Sequence, residues 1–458
     1  MIEPLDGSTP QGRSHERYRR VVLTAASSTA ARAFSWITAL VYVPLTLNYL
    51  GTERYALWAT ISSTLALLSF ADFGMNAGLV NVISESHGRR DENAAATYIS
   101  TSFFLLLAIA VGIGCIFCAL YPFVPWSRTF NVSTAIANRE VGPSVRTFVF
   151  CFLAYLPLTV VERAQLGYQM GFVNQSWEAA SNCLAFLGIL VAVHLHAGLV
   201  FLILAVAGAP LLTALLNAFT FFSFQRPWLL PSWHRISLSA ARKIVGLGAL
   251  YLLIQAAAAT GYTTDNLIIA HVLGASRVTE YAVPLKLFVI APAVCSIVFA
   301  PLWPAYGEAS ARGDVKWVRT TLRYSLLGAL VLSFLANALL FMFARTILRM
   351  WVGPRLVPSM LLLAGMACWA VLNSVTSTLT MFLNGAGFVR VQAICCTLMA
   401  ISNLVISIYL TKHIGIAGVV YGTVISHTVF VLIPYFFQLP RLLAEISGRS
   451  VALLHPQS

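Results

Sequence analysis

The chain has 458 residues, of which 59% are hydrophobic and only 10% charged, with a mean hydropathy of +0.80. A soluble globular chain carries roughly 25% charged residues, so a soluble enzyme or regulator is excluded and an integral membrane protein is indicated. The net charge of +13 lies in short segments between apolar runs, which is a topology signal of a polytopic protein rather than a nucleic-acid-binding surface.

In chain order, apolar runs long enough to cross a ~30 Å hydrocarbon core predict twelve spans, at about 22–47, 55–80, 97–120, 144–164, 177–195, 198–223, 244–270, 279–304, 322–345, 357–382, 390–410 and 415–438. The expected fold is an all-α polytopic membrane protein in two six-helix lobes. An N-terminal tail (1–21) precedes an N-lobe (22–223), an interlobe linker (224–243), a C-lobe (244–438) and a C-terminal tail (439–458). Lys and Arg in the connecting segments favour one side about two to one, which places both termini in the cytoplasm. All eight cysteines fall inside apolar runs, where free Cys behaves as a small hydrophobe. Neither a disulfide framework nor a metal site is expected.

The segment from Leu50 to Asp91 returns at Leu273 to Asp314 without a net gap. Leu50-Gly51 becomes Leu273-Gly274, Arg54 becomes Arg277, and Glu85, Arg89 and Asp91 become Glu308, Arg312 and Asp314. Six spans separate equivalent positions, so the two repeats run in the same direction, as in transporters built from duplicated units. Gly74…Gly78 and Gly418…Gly422 carry a spacing that predicts close helix packing. Pro284, Pro292, Pro301 and Pro304 predict a kinked or broken eighth span.

Charges inside spans carry the functional reading. An Arg, Lys or Asp at a helix centre costs about 2.5–3.5 kcal/mol even on insertion scales, and so calls for a partner, a cavity or a substrate. Arg32 and Asp72 fall at comparable depth on consecutive spans; they could pair, or Arg32 could face an anionic substrate. Asp265 and Lys286 are related in the same way, and could form a structural clamp or serve substrate or cation coupling. These four charges are private to one repeat: at the same displacement Arg32 corresponds to Gln255, Asp72 to Cys295, Tyr42 to Asp265 and Ser63 to Lys286.

Leu50-Gly51-x-x-Arg54-Tyr55-x-Leu57-Trp58, Asp72-Phe73-Gly74 and Ser84-Glu85…Gly88-Arg89-Arg90-Asp91 resemble the polysaccharide transporters. In the second lobe, Asp265-Asn266-Leu267-Ile268-Ile269, Leu302-Trp303-Pro304-Ala305-Tyr306-x-Glu308-Ala309 and Leu383-Asn384-Gly385-Ala386-Gly387 are similar to the same family. These are O-antigen and exopolysaccharide lipid flippases of the multidrug/oligosaccharidyl-lipid/polysaccharide exporter superfamily. The resemblance runs from about 21 to 438. It implies two lobes around a central cavity that opens alternately to either side of the bacterial inner membrane. The implied substrate is an undecaprenyl-diphosphate-linked glycan, and membrane lipids, a polysaccharide polymerase and chain-length machinery are the implied partners.

A diphosphate calls for a fixed cation with several donors, which Arg32 offers. Gln255, Asn76 and Tyr262, with Asn81 and Asn266, are candidate glycan contacts. Asp265, then Asp72, are candidate coupling carboxylates. There is no nucleotide-binding loop, and no cofactor is expected. A drug/cation antiporter of the same superfamily is the alternative. A membrane-embedded glycan polymerase or ligase is a third reading, disfavoured because the 121–143 loop offers only Arg128, Arg139 and Glu140.

Overall fold

The computed structural model describes residues 9–132, 134–352 and 358–454, and these residues contain helices, turns and loops but no strand. The chain runs through α1 (Pro10–Leu68), α2 (Met75–Arg89), α3 (Glu92–Leu120), α4 (Ala135–Tyr155), α5 (Thr159–Gly167), α6 (Gly171–His194) and α7 (Gly198–Thr220). It continues through α8 (Leu238–Leu273), α9 (Val278–Phe288), α10 (Ile290–Phe299), α11 (Leu302–Ala311), α12 (Val315–Val352), α13 (Met360–Ala386), α14 (Val389–Ile414), α15 (Ala417–His427) and α16 (Ile433–Leu454).

Eleven helical segments among the described residues are long and apolar enough to cross a membrane. The first, Gln11–Ser62, is broken at Gly51 (φ 72°, ψ 174°), a backbone conformation open essentially only to glycine. Gly51 separates the first expected span from the second, which continues to Leu68 and, after a 3-10 turn at Ser69–Asp72, into α2. Many outward side chains are large and apolar; Phe334 is 60% and Met342 74% exposed. Water would not tolerate so much contiguous apolar surface, whereas hydrocarbon solvates it.

The duplicated punctuation has a structural meaning at each position. Gly274, the counterpart of Gly51, also has positive φ (100°). Arg90 and Gly313 end α2 and α11 in the left-handed region. Asp91 then caps α3 by accepting from the Ala94 amide at 2.9 Å, and Asp314 caps α12 by accepting from the Trp317 amide at 3.3 Å. Each cap satisfies an orphan N–H of the first helical turn. The last span of each lobe also contains a π-helical turn, at Phe221–Gln225 and Thr428–Leu432. The proline-rich eighth span is divided as expected, with interruptions between α9, α10 and α11.

The chain divides into two compact units, Val22–Ala249 (the N-lobe unit) and Met1–Val21 with Leu250–Ser458 (the C-lobe unit). The N-lobe unit has one apolar core around Leu79, Ile83, Ile99 and Val160 and another around Trp58, Ile61, Phe148 and Leu202. In the C-lobe unit one core gathers Tyr306, Phe382, Leu383 and Tyr435, and the other Phe288, Leu348, Met366 and Trp369.

The units divide at Val21–Val22, where the N-lobe was expected to begin, and at Ala249–Leu250, six residues beyond the expected start of the C-lobe at 244. The 1–21 segment is not a free tail: its described part is the start of α1, and Val21 packs on the C-lobe core. The 224–243 segment is not a bare linker either. Ser232 and Ser237 donate their amides to Ser100 and Thr101 at 3.2 Å each, and Trp233 stacks on Phe104 with ring centroids 3.8 Å apart. At the other end α16 continues to Leu454, and Leu442, Leu443 and Ile446 join the core. Apolar side chains spaced along short polar segments are too sparse for a hydropathy reading, but they suffice for packing.

Candidate functional site

The two proposed ion pairs do not form. Arg32 is exposed on α1, and no ion pair joins it to Asp72 among the described residues. Asp72 is buried, 8% exposed, in a 3-10 turn between α1 and α2, where its carboxylate accepts from the amides of Gly74 at 3.0 Å and Asn76 at 3.2 Å. It is a helix-start cap rather than an intramembrane counter-ion. Asp72→Ala is expected to cost about 0.5–2 kcal/mol, the ordinary range for such a cap, while Asp72→Asn keeps most of it. Thermal melting of the purified protein in detergent checks this.

The other candidates divide in the same way. Asn76 is buried and accepts from the Thr159 hydroxyl at 3.2 Å, which ties α2 to α5. Gln255 is half-buried on α8, Asn266 is exposed, and the side chain of Tyr262 lies outside the described residues.

Asp265 stands where the sequence put it but with a different partner. Its side chain is buried, 3% exposed, and its Oδ2 accepts from the Tyr281 hydroxyl at 2.7 Å. Oδ1 has no hydrogen-bond partner among the described residues. Lys286 is exposed. It follows Tyr281 by five positions on α9, and at about 100° per residue it projects roughly 140° away from the face that meets α8.

Around Asp265 the C-lobe unit encloses a cavity of about 130 Å³. Asp265 enters from α8, Tyr281 from α9, Trp369 and Asn373 from α13, and Thr423 and His427 from α15. The Thr423 hydroxyl donates to Asn403 Oδ1 at 3.2 Å, and His427 Nε2 lies 3.0 Å from the Thr376 hydroxyl. The π-helical turn begins directly after His427, a helix irregularity frequent at functional sites. Pockets for organic ligands are typically about 300–1,000 Å³, so this cavity suits a proton, a small cation or water better than a glycan.

Tyr281, Asn373, Thr423 and His427 are not among the candidates that the sequence singles out. His427 could have been found, since an ionisable side chain deep in a predicted span is a functional signal even when it is counted as neutral. Among the described residues no three His, Cys, Asp or Glu side chains form a metal-ligating group.

Comparison with known proteins sets these features in context. The sequence profile of a family described as polysaccharide biosynthesis protein matches residues 24–310. A Salmonella typhi protein assigned as an O-antigen transporter is 21% identical over 437 residues, covering 92% of this chain and 96% of its own. A counterpart from Salmonella typhimurium strain LT2, assigned likewise, is 21% identical over 424 residues and covers 88% and 93%. Among solved structures, a multidrug resistance MATE family transporter of the MOP superfamily, in an outward-facing conformation, superposes with a TM-score of 0.76 at 15% identity over 93% of this chain and 96% of its own. A MOP superfamily transporter from Pyrococcus furiosus gives 0.75 at 15% identity, with the same coverage. At such identities the structural likeness establishes the fold.

Proposed function

Because the chain belongs to the polysaccharide biosynthesis protein family, we propose that this multi-pass membrane protein is a polysaccharide exporter of a particular kind. It moves an undecaprenyl-diphosphate-linked oligosaccharide from the inner to the outer leaflet of the bacterial inner membrane by alternating access, with both termini cytoplasmic. The assignment of its full-length relatives to O-antigen transport supports the substrate class. The observation that carries the mechanism is the Asp265 carboxylate, buried beside a cavity of ion size, with one oxygen held by Tyr281 and the other without a hydrogen-bond partner among the described residues. Such a group takes up and releases a proton or a cation, and a membrane potential supplies about 2.3 kcal/mol per charge per 100 mV.

Arg32 supplies the headgroup contact in this reading. It stands exposed in an apolar stretch of α1, where hydrocarbon alone would be a poor environment and a diphosphate a good one. A charge-assisted hydrogen bond contributes about 1.5–3 kcal/mol. Arg32→Ala is therefore expected to lower export by roughly 10- to 150-fold with normal membrane insertion. Arg32→Lys should fall between, keeping the charge without the planar fork. The assay is surface glycan in a strain lacking its own flippase, backed by translocation of labelled lipid-linked oligosaccharide in proteoliposomes. Full export by the Ala variant removes Arg32 from the mechanism. Failure of the unsubstituted protein to move glycan, with efflux of cationic dyes instead, replaces the flippase reading with the antiporter.

The polymerase or ligase reading loses its best residue. Glu140 is engaged by Arg54 through two hydrogen bonds of 2.8 Å and accepts from the Leu199 amide at 3.1 Å. It serves as a fastener of α1, α4 and α7 and has little capacity left for catalysis.

A further inference from the structure

Two helices pass from one compact unit to the other, α1 at Val21–Val22 and α8 at Ala249–Leu250, and each is anchored at its start by a cation. Arg17 of α1 is 2% exposed. Its Nε donates to Glu308 at 2.5 Å and its Nη1 to Asp314 at 2.8 Å, and its guanidinium lies 4.8 Å from the centroid of the Trp317 ring. Arg312, one turn beyond Glu308, pairs with the same carboxylate. The next residue of α1, Tyr18, shares a 2.7 Å hydrogen bond with Thr321.

The N-lobe unit repeats this plan in weaker form. Lys243 of α8 donates to Glu85 at 3.0 Å, Arg89 pairs with Glu85 from one turn beyond, and Lys243 lies 5.4 Å from the Tyr98 ring centroid. Glu85 and Arg89 are the counterparts of Glu308 and Arg312 in the duplicated segment. Each repeat thus receives a cation from the first helix of the other half of the sequence. The Arg17 side chain is 3% exposed, against 43% for Lys243, so the cation of one clamp is buried and that of the other partly exposed.

We propose that the Arg17–Glu308–Asp314 clamp is a latch that opens and recloses in each transport cycle. When the two units move against each other, each crossing helix must bend or let go. In α8 the crossing lies beside Gly246 and Gly248; a Cβ at Gly246 would meet nothing within 4 Å, while Gly248 packs against the Phe73 carbonyl and Met75, and helix kinks arise at such glycines. In α1 no glycine or proline lies between Gly12 and Pro44, and sharp kinks arise at such residues. The α1 helix is therefore stiff where it crosses, and release falls on the clamp. The chemistry suits release. Buried ion pairs trade Coulomb attraction against desolvation and are often no better than apolar packing for stability, but separated ions recover their hydration as an apolar contact cannot.

The latch rests on the transporter reading, and its test uses the full chain in a background without the eight native cysteines. Tyr18→Cys with Thr321→Cys places two thiols beside the clamp while leaving Arg17, Glu308 and Asp314 in place. Joining them with a short, reducible, bifunctional thiol reagent in proteoliposomes is expected to lower translocation of labelled lipid-linked oligosaccharide at least tenfold, with recovery on reduction. Undiminished translocation by the cross-linked protein overturns the latch and leaves a static fastener. Absence of translocation before cross-linking, where the native chain also shows none, overturns the transporter reading instead. A second measurement needs only Tyr18→Cys: its reaction with a membrane-impermeant maleimide is expected to be at least threefold faster during turnover than after the gradient is collapsed. Equal rates also overturn the latch.

Discussion

Asp265→Asn is expected to abolish gradient-driven glycan export while the protein still inserts and melts close to the native temperature. The substitution keeps the size of the side chain and leaves an oxygen for the Tyr281 hydroxyl, which donates at 2.7 Å. What it removes is the ability to alternate between a charged and a neutralised state. If one charge moves per cycle, a potential of 100 mV contributes about 2.3 kcal/mol, and losing it reduces the accumulation ratio by roughly 50-fold, since each 1.4 kcal/mol is a factor of ten. Downhill exchange of labelled lipid-linked oligosaccharide without an imposed gradient should survive, because the path itself is intact. The measurement is a pair of proteoliposome assays, with and without the gradient. Gradient-driven export at the native rate by Asp265→Asn sinks the coupling role. Tyr281→Phe should give an intermediate result. It leaves a buried acceptor unpaired, at about 1–3 kcal/mol, but retains the carboxylate.

The all-α polytopic class was legible from composition, and the helix ends were legible wherever a residue has few conformational substitutes. Gly51 and Gly274 mark breaks because other residues avoid their backbone angles, and Asp91 and Asp314 mark starts because a short carboxylate reaches the third amide of the next helix. Partnership was not legible. Asp265 is buried, yet depth along a span says nothing of the face, and the face gave it Tyr281 instead of Lys286. Asp72 looked like an intramembrane charge because hydropathy does not register the short 3-10 turn that contains it, from which it caps the start of α2. Arg17 was counted as one more basic residue of a tail. Its partners are 291 and 297 positions away, a separation over which no local pattern carries information. The cavity polar groups Asn373, Thr423 and His427 sit singly in apolar runs, and only the approach of α13 and α15 brings them around Asp265.

The helix that carries Thr423 and His427, α15, is seated against α14 through two glycines, and Gly422→Leu is expected to prevent accumulation of folded protein. A Cβ at Gly422 would collide with the Ser407 side chain and lie 2.7 Å from Ser407 Cα and 2.8 Å from its amide nitrogen. One turn earlier, a Cβ at Gly418 would collide with the backbone of Leu410 and Thr411. Two helix backbones in direct contact cannot yield as a flexible side chain would, so α14 and α15 must move apart. Overpacking of this kind costs about 1–3 kcal/mol and occasionally more. Separation also breaks the bond from the Ser407 hydroxyl to the Val419 carbonyl at 3.2 Å and the bond between Thr423 and Asn403; interhelical bonds in membranes average roughly 0.6 kcal/mol each. Against a total stability of about 5–15 kcal/mol, the loss is large. Fluorescence-detected size exclusion and melting in detergent measure it, and a Leu variant with native abundance and melting temperature would rule out the close approach. Gly422→Ala, which adds only the Cβ, separates packing from function: α15 carries Thr423 and His427, so an outward shift of that helix should weaken export even where enough folded protein survives to be assayed.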